Sequence, residues 1–502
     1  MRRKCSMPSR YRRRAGLVAL LSTLMIVPSC AAQQSVAEQV RQLTAAMDRV
    51  QSQLEASQRQ LEEMRRQLEA LQGHAETVAD PPSAQAAQLD AAKLAAQVDE
   101  LRERQTMQET QIGVQEQTKV ESESRFPVKV SGLVLMNGFV NTRNVDMPST
   151  PTLAVPGGGS TGATLRQTIL GLDMRGPHLF GARSHGDLRI DFDGSSAAGG
   201  YANGYGVDLV RLRTAHAALD WNRTELFFSM DRPIVSPDMP DSLTAIAEPP
   251  LAWSGNLWNW SPQVGVTQDL RLGFGPQIRA QTAFIDIPDA PYTTGLAAAN
   301  GLTLTNSTGE ASRWPGVETR IAIADGRSES GLQVGVGGLF APHRSIGGTD
   351  FDTWAATLDY RLPLPARMVV TGSFYRGAAL GGLGGGAYKD YVFELGDGSY
   401  YFRTLDDVGG WAQWKQRFGQ RLEFNEALGA DEVPAGQLLP YAGTPTSTYQ
   451  NVARNRTVTG NVIYCPSAYL LFSLEYRRIA SSSLNGSTAS SDVIGVAAGY
   501  KF

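Results

Sequence analysis

Residues 184–194 read SHGDLRIDFDG, and this stretch decides the fold. Gly186, Leu188, Ile190 and Phe192 occupy every second position, while His185, Asp187, Arg189, Asp191 and Asp193 fill the places between. Side chains along a strand alternate faces, so the segment reads as a strand with one apolar and one ionisable face. Five ionisable groups in succession cannot line a dry core, because each charge left unpaired there is costly. That face must meet water, and the opposite face must be covered by something apolar. Working outward, DLVRLRTAHAALDW (208–221) repeats the pattern, with Arg211 and Arg213 opposite Val210 and Leu212. The last stretch, SDVIGVAAGYKF (491–502), sets Ile494, Val496, Ala498, Tyr500 and Phe502 in one apolar column. About sixteen segments of this kind follow residue 125. A transmembrane strand needs only about 9 to 11 residues, and barrels of about 16 to 18 strands leave an aqueous channel. The expected fold is therefore an all-β transmembrane barrel of about sixteen antiparallel strands, covering 125–502, with Tyr500 and Phe502 at the membrane interface.

Composition is compatible with this. The 502 residues carry 46 Lys plus Arg against 49 Asp plus Glu, a net charge of -3, which excludes a nucleic-acid binder that works by broad attraction to phosphates. No internal run approaches the roughly 20 apolar residues of a membrane helix. A barrel escapes that test because only alternate residues face lipid.

The N-terminus has the three parts of an export signal: basic MRRKCSMPSRYRRR, apolar AGLVALLSTLMIV, and small residues in PSCAAQQ. The reading assigns 1–32 to a signal peptide cut near Ala31 or Ala32; acylation of Cys30 is the alternative. Such a cut removes Cys5 and Cys30 and leaves Cys465 without a partner for an intrachain disulfide. From Val36 the apolar residues fall into heptads, through Val40, Leu43, Met47, Val50, Leu54, Leu61, Met64 and Leu68, with Ser57 interrupting the seam. This spacing predicts an α-helical coiled coil that self-associates. Pro81 and Pro82 break it, and a second Ala-rich helix continues toward a polar run, so 33–124 reads as a stalk and linker.

Within the barrel region, Arg189, Arg211 and Arg213 are the candidates for a basic ladder lining the lumen, where fixed positive charge would concentrate anions. Asp187, Asp191 and Asp193, with His185, share that face and could neutralise the ladder by cross-strand pairing. The connection RPIVSPDMPDSLTAIAEPPLAWSGNLWNW (232–260) is too long to be a plain turn. Either it folds into the lumen as a constriction, with Arg232, Asp238, Asp241, Trp253 and Trp258 as its candidates, or it packs on the rim. LGGLGGGAYKD (380–390) lacks the residue order of a phosphate loop and is expected as a flexible outer loop. No serine motif or metal-ligand spacing accompanies the five histidines, and His216 shares the parity of Val210 and Leu212, so an enzyme is not expected, nor a metal or other cofactor. A coiled-coil tether to the cell wall, anchored by a barrel, and a secreted soluble all-β protein are the rival readings.

The coil of 36–71, FPVKVSGLVLMNGFVNT (126–142), VRLRTAHAALDWNRTELFFSMDRPIVSP (210–237) and the terminal GYKF together resemble the DcaP-like trimeric porins, relatives of the phosphate-selective and sugar porins. The resemblance implies a sixteen-stranded barrel, three per assembly, in the outer membrane with its coil in the periplasm. It also implies passive uptake of small hydrophilic, often anionic solutes such as dicarboxylates, and a C-terminal Phe502 read by the barrel-insertion machinery.

Overall fold

The computed structural model describes residues 127–194, 209–271, 277–292, 306–325, 331–396, 399–441 and 449–502. The expected signal peptide and coiled-coil seam lie outside the described residues. The first strands are β1 (Val128–Val145), β2 (Ala154–Thr164), β3 (Ile169–Leu179), β4 (Ala182–Gly194), β5 (Leu209–Asp220) and β6 (Thr224–Asp231). Then come β7 (Ser261–Arg271), β8 (Gln277–Ile285), β9 (Gly316–Ala324), β10 (Gln333–Arg344), β11 (Asp350–Leu364) and β12 (Met368–Ala378). A small separate hairpin, β13 (Tyr391–Gly396) and β14 (Ser399–Thr404), precedes β15 (Asp406–Phe418), β16 (Leu422–Glu432), β17 (Val452–Tyr464), β18 (Leu470–Ser483) and β19 (Thr488–Lys501).

From β3 to β12 each strand pairs antiparallel with the next, β12 pairs with β15, the pairing continues to β19, and β19 returns to β1, with Leu133 opposite Lys501 and Asn141 opposite Val493. Phe502 completes the seam, exchanging two backbone hydrogen bonds of 3.0 Å with Gly132. β2 and β3 lie end to end along β1: Asn137–Val145 pairs with β2 and Val128–Leu133 with β3. The 17-stranded sheet therefore closes as a ring of sixteen positions, because two strands share one. Closure leaves no unpaired edge.

The burial pattern is inverted relative to a soluble protein. Along β18, Phe472, Leu474 and Tyr476 are exposed, while Ser473, Glu475 and Arg477 between them are buried. β17 buries Asn455, Thr457, Thr459 and Asn461 and exposes Val458 and Val462. In β19, Ile494, Val496 and Tyr500 face outward as the alternation predicts. A closed wall with polar residues inside and a continuous apolar exterior is stable only in an apolar surround, so the strands span a lipid bilayer. At one end, with the C-terminus, lie short turns such as Phe180–Gly181, whose φ values of 52 and 79 suit a tight two-residue hairpin. The long connections lie at the other end.

One departure from simple alternation, in β5, moves a candidate residue. In β4–β5 pairing, Arg189 faces Thr214 but Ile190 faces Leu212, so Arg213 is an extra residue, a bulge. Beyond it the parity reverses. His216, expected on the lipid side, faces inward: it is level with Asp187, and its ring lies 5.9 Å from that of His185.

Candidate functional site

The connection 232–260 between β6 and β7 turns into the ring and runs around its inner wall. Prolines remove several backbone donors from it, and the inward polar side chains of the strands satisfy much of what remains. Asn137 on β1 donates to the Leu243 carbonyl at 2.8 Å, and Gln167, between β2 and β3, donates to Thr244 O at 3.0 Å and accepts from Ile246 N at 2.7 Å. Across the lumen, Gln413 on β15 accepts from Asp241 N and donates to its carboxylate, both at 2.6 Å, and Asn461 on β17 donates to Asp241 O at 2.8 Å. Lys415 pairs with Asp241 at 2.8 Å, Arg361 pairs with Asp238, and Glu318 accepts from Val235 N at 3.3 Å. Gln167, Glu318, Gln413, Lys415 and Asn461 were not singled out in the sequence. Strand parity marks all but Gln167, which sits in a turn, as inward, but nothing local says which stretch of a distant loop they will meet.

The expectation for 380–390 is overturned. This glycine-rich stretch is buried inside the loop end and braces the 232–260 loop: Trp253 N donates to Gly384 O and Trp258 N to Leu383 O, both at 2.9 Å. Glycine here serves close approach rather than flexibility. Gly384 and Gly386 have φ of 104 and 60, and a Cβ at Gly384 would lie 2.6 Å from the Trp258 ring. Lys389, fully buried, donates to the carbonyls of Ala387, Tyr449 and Val452 at 2.6, 2.9 and 2.7 Å. Trp253 stacks on Tyr388 with centroids 5.0 Å apart, and Trp258 meets Trp260 edge-on at 5.2 Å. Trp253 and Trp258 thus belong to a buried cluster that holds the two in-folded loops together.

The ladder candidates are inward and largely paired. Asp191, fully buried, accepts from Arg211 Nε at 3.0 Å and Nη2 at 2.7 Å, and lies 3.5 Å from Arg213 Nη1. Both guanidiniums also sit over the Trp260 ring, at 5.2 and 4.6 Å, and donate to the loop carbonyls of Ala247 and Ile246. Arg189 pairs with Asp173, with Asp187 3.9 Å away, and Asp193 lies 3.7 Å from Arg166. Two cavities flank Arg232. One, of about 260 Å³, is lined by Arg213, Arg232, Asp238 and Asp241 among others; the other, of about 400 Å³ toward the terminal end, by His216, Glu225, Asp231, Arg232, Asp269 and Arg279. In the first, two arginines face two aspartates, each of which already holds a further cation, Arg361 or Lys415. Cations and carboxylates interleave around it: Arg213 is also held by Asp191, and Lys415 lies 3.6 Å from Glu423. Glu248 of the same loop has its carboxyl pushed up to about 8 by burial, with Asp146 and Asp193 adding to the effect.

Among solved structures, the outer-membrane channel DcaP of Acinetobacter baumannii superposes with a TM-score of 0.57 at 17% identity, over 76% of this chain and 99% of that one. The fold is that of a DcaP-like porin. More distant similarities include an anion-selective porin from Comamonas acidovorans (11% identity, TM-score 0.46, covering 75% of this chain and 100% of that one) and OmpF of Salmonella typhi (10%, 0.46, 75% and 98%). No protein-family model matches the sequence, and no curated protein matches it either.

Proposed function

We propose that this chain is an outer-membrane porin that lets small hydrophilic anions, dicarboxylates among them, diffuse past the 232–260 loop. The observation that carries the reading is the polar interior of a closed ring with an apolar exterior, narrowed by a loop whose cavities are lined by Arg213 and Arg232. A solute crossing the lumen passes Arg213 and Arg232, the residues at the first cavity and at the junction of the two. Fixed cations there lower the barrier for an anion and raise it for a cation. The protein works as a homotrimer, with 33–124 as a coiled-coil stalk in the periplasm and Tyr500 and Phe502 as the strand end presented to the insertion machinery.

The test is single-channel conductance of refolded protein in a planar bilayer, with the reversal potential read under a salt gradient. Conductance steps in groups of three with an anion-shifted reversal are expected. Correctly inserted protein that passes no current would sink the open-pore reading, and a cation-shifted reversal would remove the anion preference.

A further inference from the structure

The exterior of the barrel is apolar over most of its height, yet three arginines on β17 and β18 share its outward face near the loop end. Arg454, Arg456 and Arg478 have the same parity as Val458, Val462, Leu474 and Tyr476, which form the apolar band beneath them. Strand register sets the three side by side. Arg456 is level with Ala430 on one neighbour and Ala480 on the other, Arg454 with Glu432 and Ser482, and Arg478 with Val458 and Asp492. Arg456 and Arg478 are therefore diagonal cross-strand neighbours, within reach of one common ligand for side chains of that length.

Their charge is not balanced. Outward arginines at this end of β10–β18 typically hold a carboxylate: Arg344 with Asp350, Arg376 with Asp406, Arg454 with Glu432 at 2.7 Å, and Arg478 with Asp492 at 2.8 Å. Arg456 is exposed and has no carboxylate partner among the described residues. Its cross-strand neighbours Ala430 and Ala480 are small and carry no charge, and the Ser482 hydroxyl, 2.9 Å from that of Thr488, belongs to the residue level with Arg454. A guanidinium offers a planar fork that matches a phosphate bidentately.

We propose that Arg454, Arg456 and Arg478 form a binding site on the outside of the barrel for the phosphate of an anionic glycolipid, whose acyl chains lie on the apolar band below. Charge complementarity and the direct continuation of the arginine patch into that band select a lipid over a free anion: one molecule satisfies both surfaces. The inference rests on the porin reading only in placing the loop end at the outer leaflet.

The experiment is native mass spectrometry of the full chain in detergent, with diphosphoryl lipid A as the probe and inorganic phosphate as competitor. The wild-type chain is expected to retain the lipid in the presence of matched phosphate. Arg456→Glu is expected to weaken retention about tenfold or more, two charge units being changed at a membrane-surface site. Arg456→Lys, which keeps the charge, should retain most of the binding, and Arg344→Glu should leave it unchanged. Unchanged retention by Arg456→Glu would overturn the proposal, as would displacement of the lipid by inorganic phosphate, which marks a free-anion site. A change in assembly size with lipid retention unaltered would assign the face to contact between copies and also overturn it. Heat-modified electrophoretic mobility identifies folded variants, and Arg456→Lys supplies the comparison if the charge reversal does not fold. Conductance is read on the same samples: loss of the porin reading shows as absent wild-type current, whereas loss of this site leaves current intact.

Discussion

Replacing Asp191 with Asn should change both the stability and the selectivity of the pore. The carboxylate is fully buried and is shared by Arg211 and Arg213. Removing one partner of a buried ion pair costs about 3 to 5 kcal/mol. Asn keeps one oxygen acceptor, and both arginines keep the loop carbonyls of Ala247 and Ile246, so the expected cost is at the lower end, about 3 kcal/mol. For selectivity, one more uncompensated positive charge at about 7 Å from a permeating ion in water is worth about 0.6 kcal/mol, close to a threefold enrichment of anions. Screening over a Debye length of about 10 Å at 0.1 M salt reduces this to about twofold. The assay is the reversal potential across a bilayer under a salt gradient, repeated at two ionic strengths, with heat-modified mobility as the stability readout. A twofold anion shift that shrinks with added salt is expected. An unchanged potential from folded, conducting protein would show that ions do not pass near this arginine pair, and would refute the reasoning.

Three other outcomes are expected. The raised Glu248 carboxyl favours the protonated folded state, so its contribution to holding the loop is complete below its ordinary value of 4.5 and is lost as pH rises through about 8; Glu248→Gln should flatten that slope in tryptophan emission followed against pH. Lys389→Met strands three carbonyls that the ammonium now satisfies, and should lower the midpoint of thermal unfolding by the equivalent of about 3 kcal/mol. A side chain at Gly429 would overlap the Ser254 carbonyl, so Gly429→Val should lift the loop from the wall at an overpacking cost of about 1 to 3 kcal/mol, and show as flickering single-channel current. A quiet wild-type trace from that variant would mean the loop is not seated there.

The barrel was legible because its signal is local. The alternation in 184–194 and in the terminal column of Ile494, Val496 and Tyr500 is enforced by a solvent boundary on each face, and each strand reports it independently. Parity fails only where the backbone gains a residue, as at Arg213, and alternation alone does not mark such a bulge; His216 was misplaced for that reason. The lumen was half legible. The length and tryptophans of 232–260 pointed to a structured loop, but its seat depends on Gln413, Asn461 and Glu318, which are far away in sequence. The glycines of 380–390 read as flexibility because their packing partners, Trp253 and Trp258, come from another loop altogether.

The 232–260 loop joins arcs of the wall that are distant around the ring: Asn137 on β1, Glu318 on β9, and Gln413 and Asn461 on β15 and β17. Mechanically it is a set of spokes. A hollow cylinder made of one sheet flattens easily under lateral pressure, since hydrogen-bonded strands hinge about their long axes, and internal ties between far arcs resist that flattening. The same peptide that narrows the passage therefore holds the cross-section open.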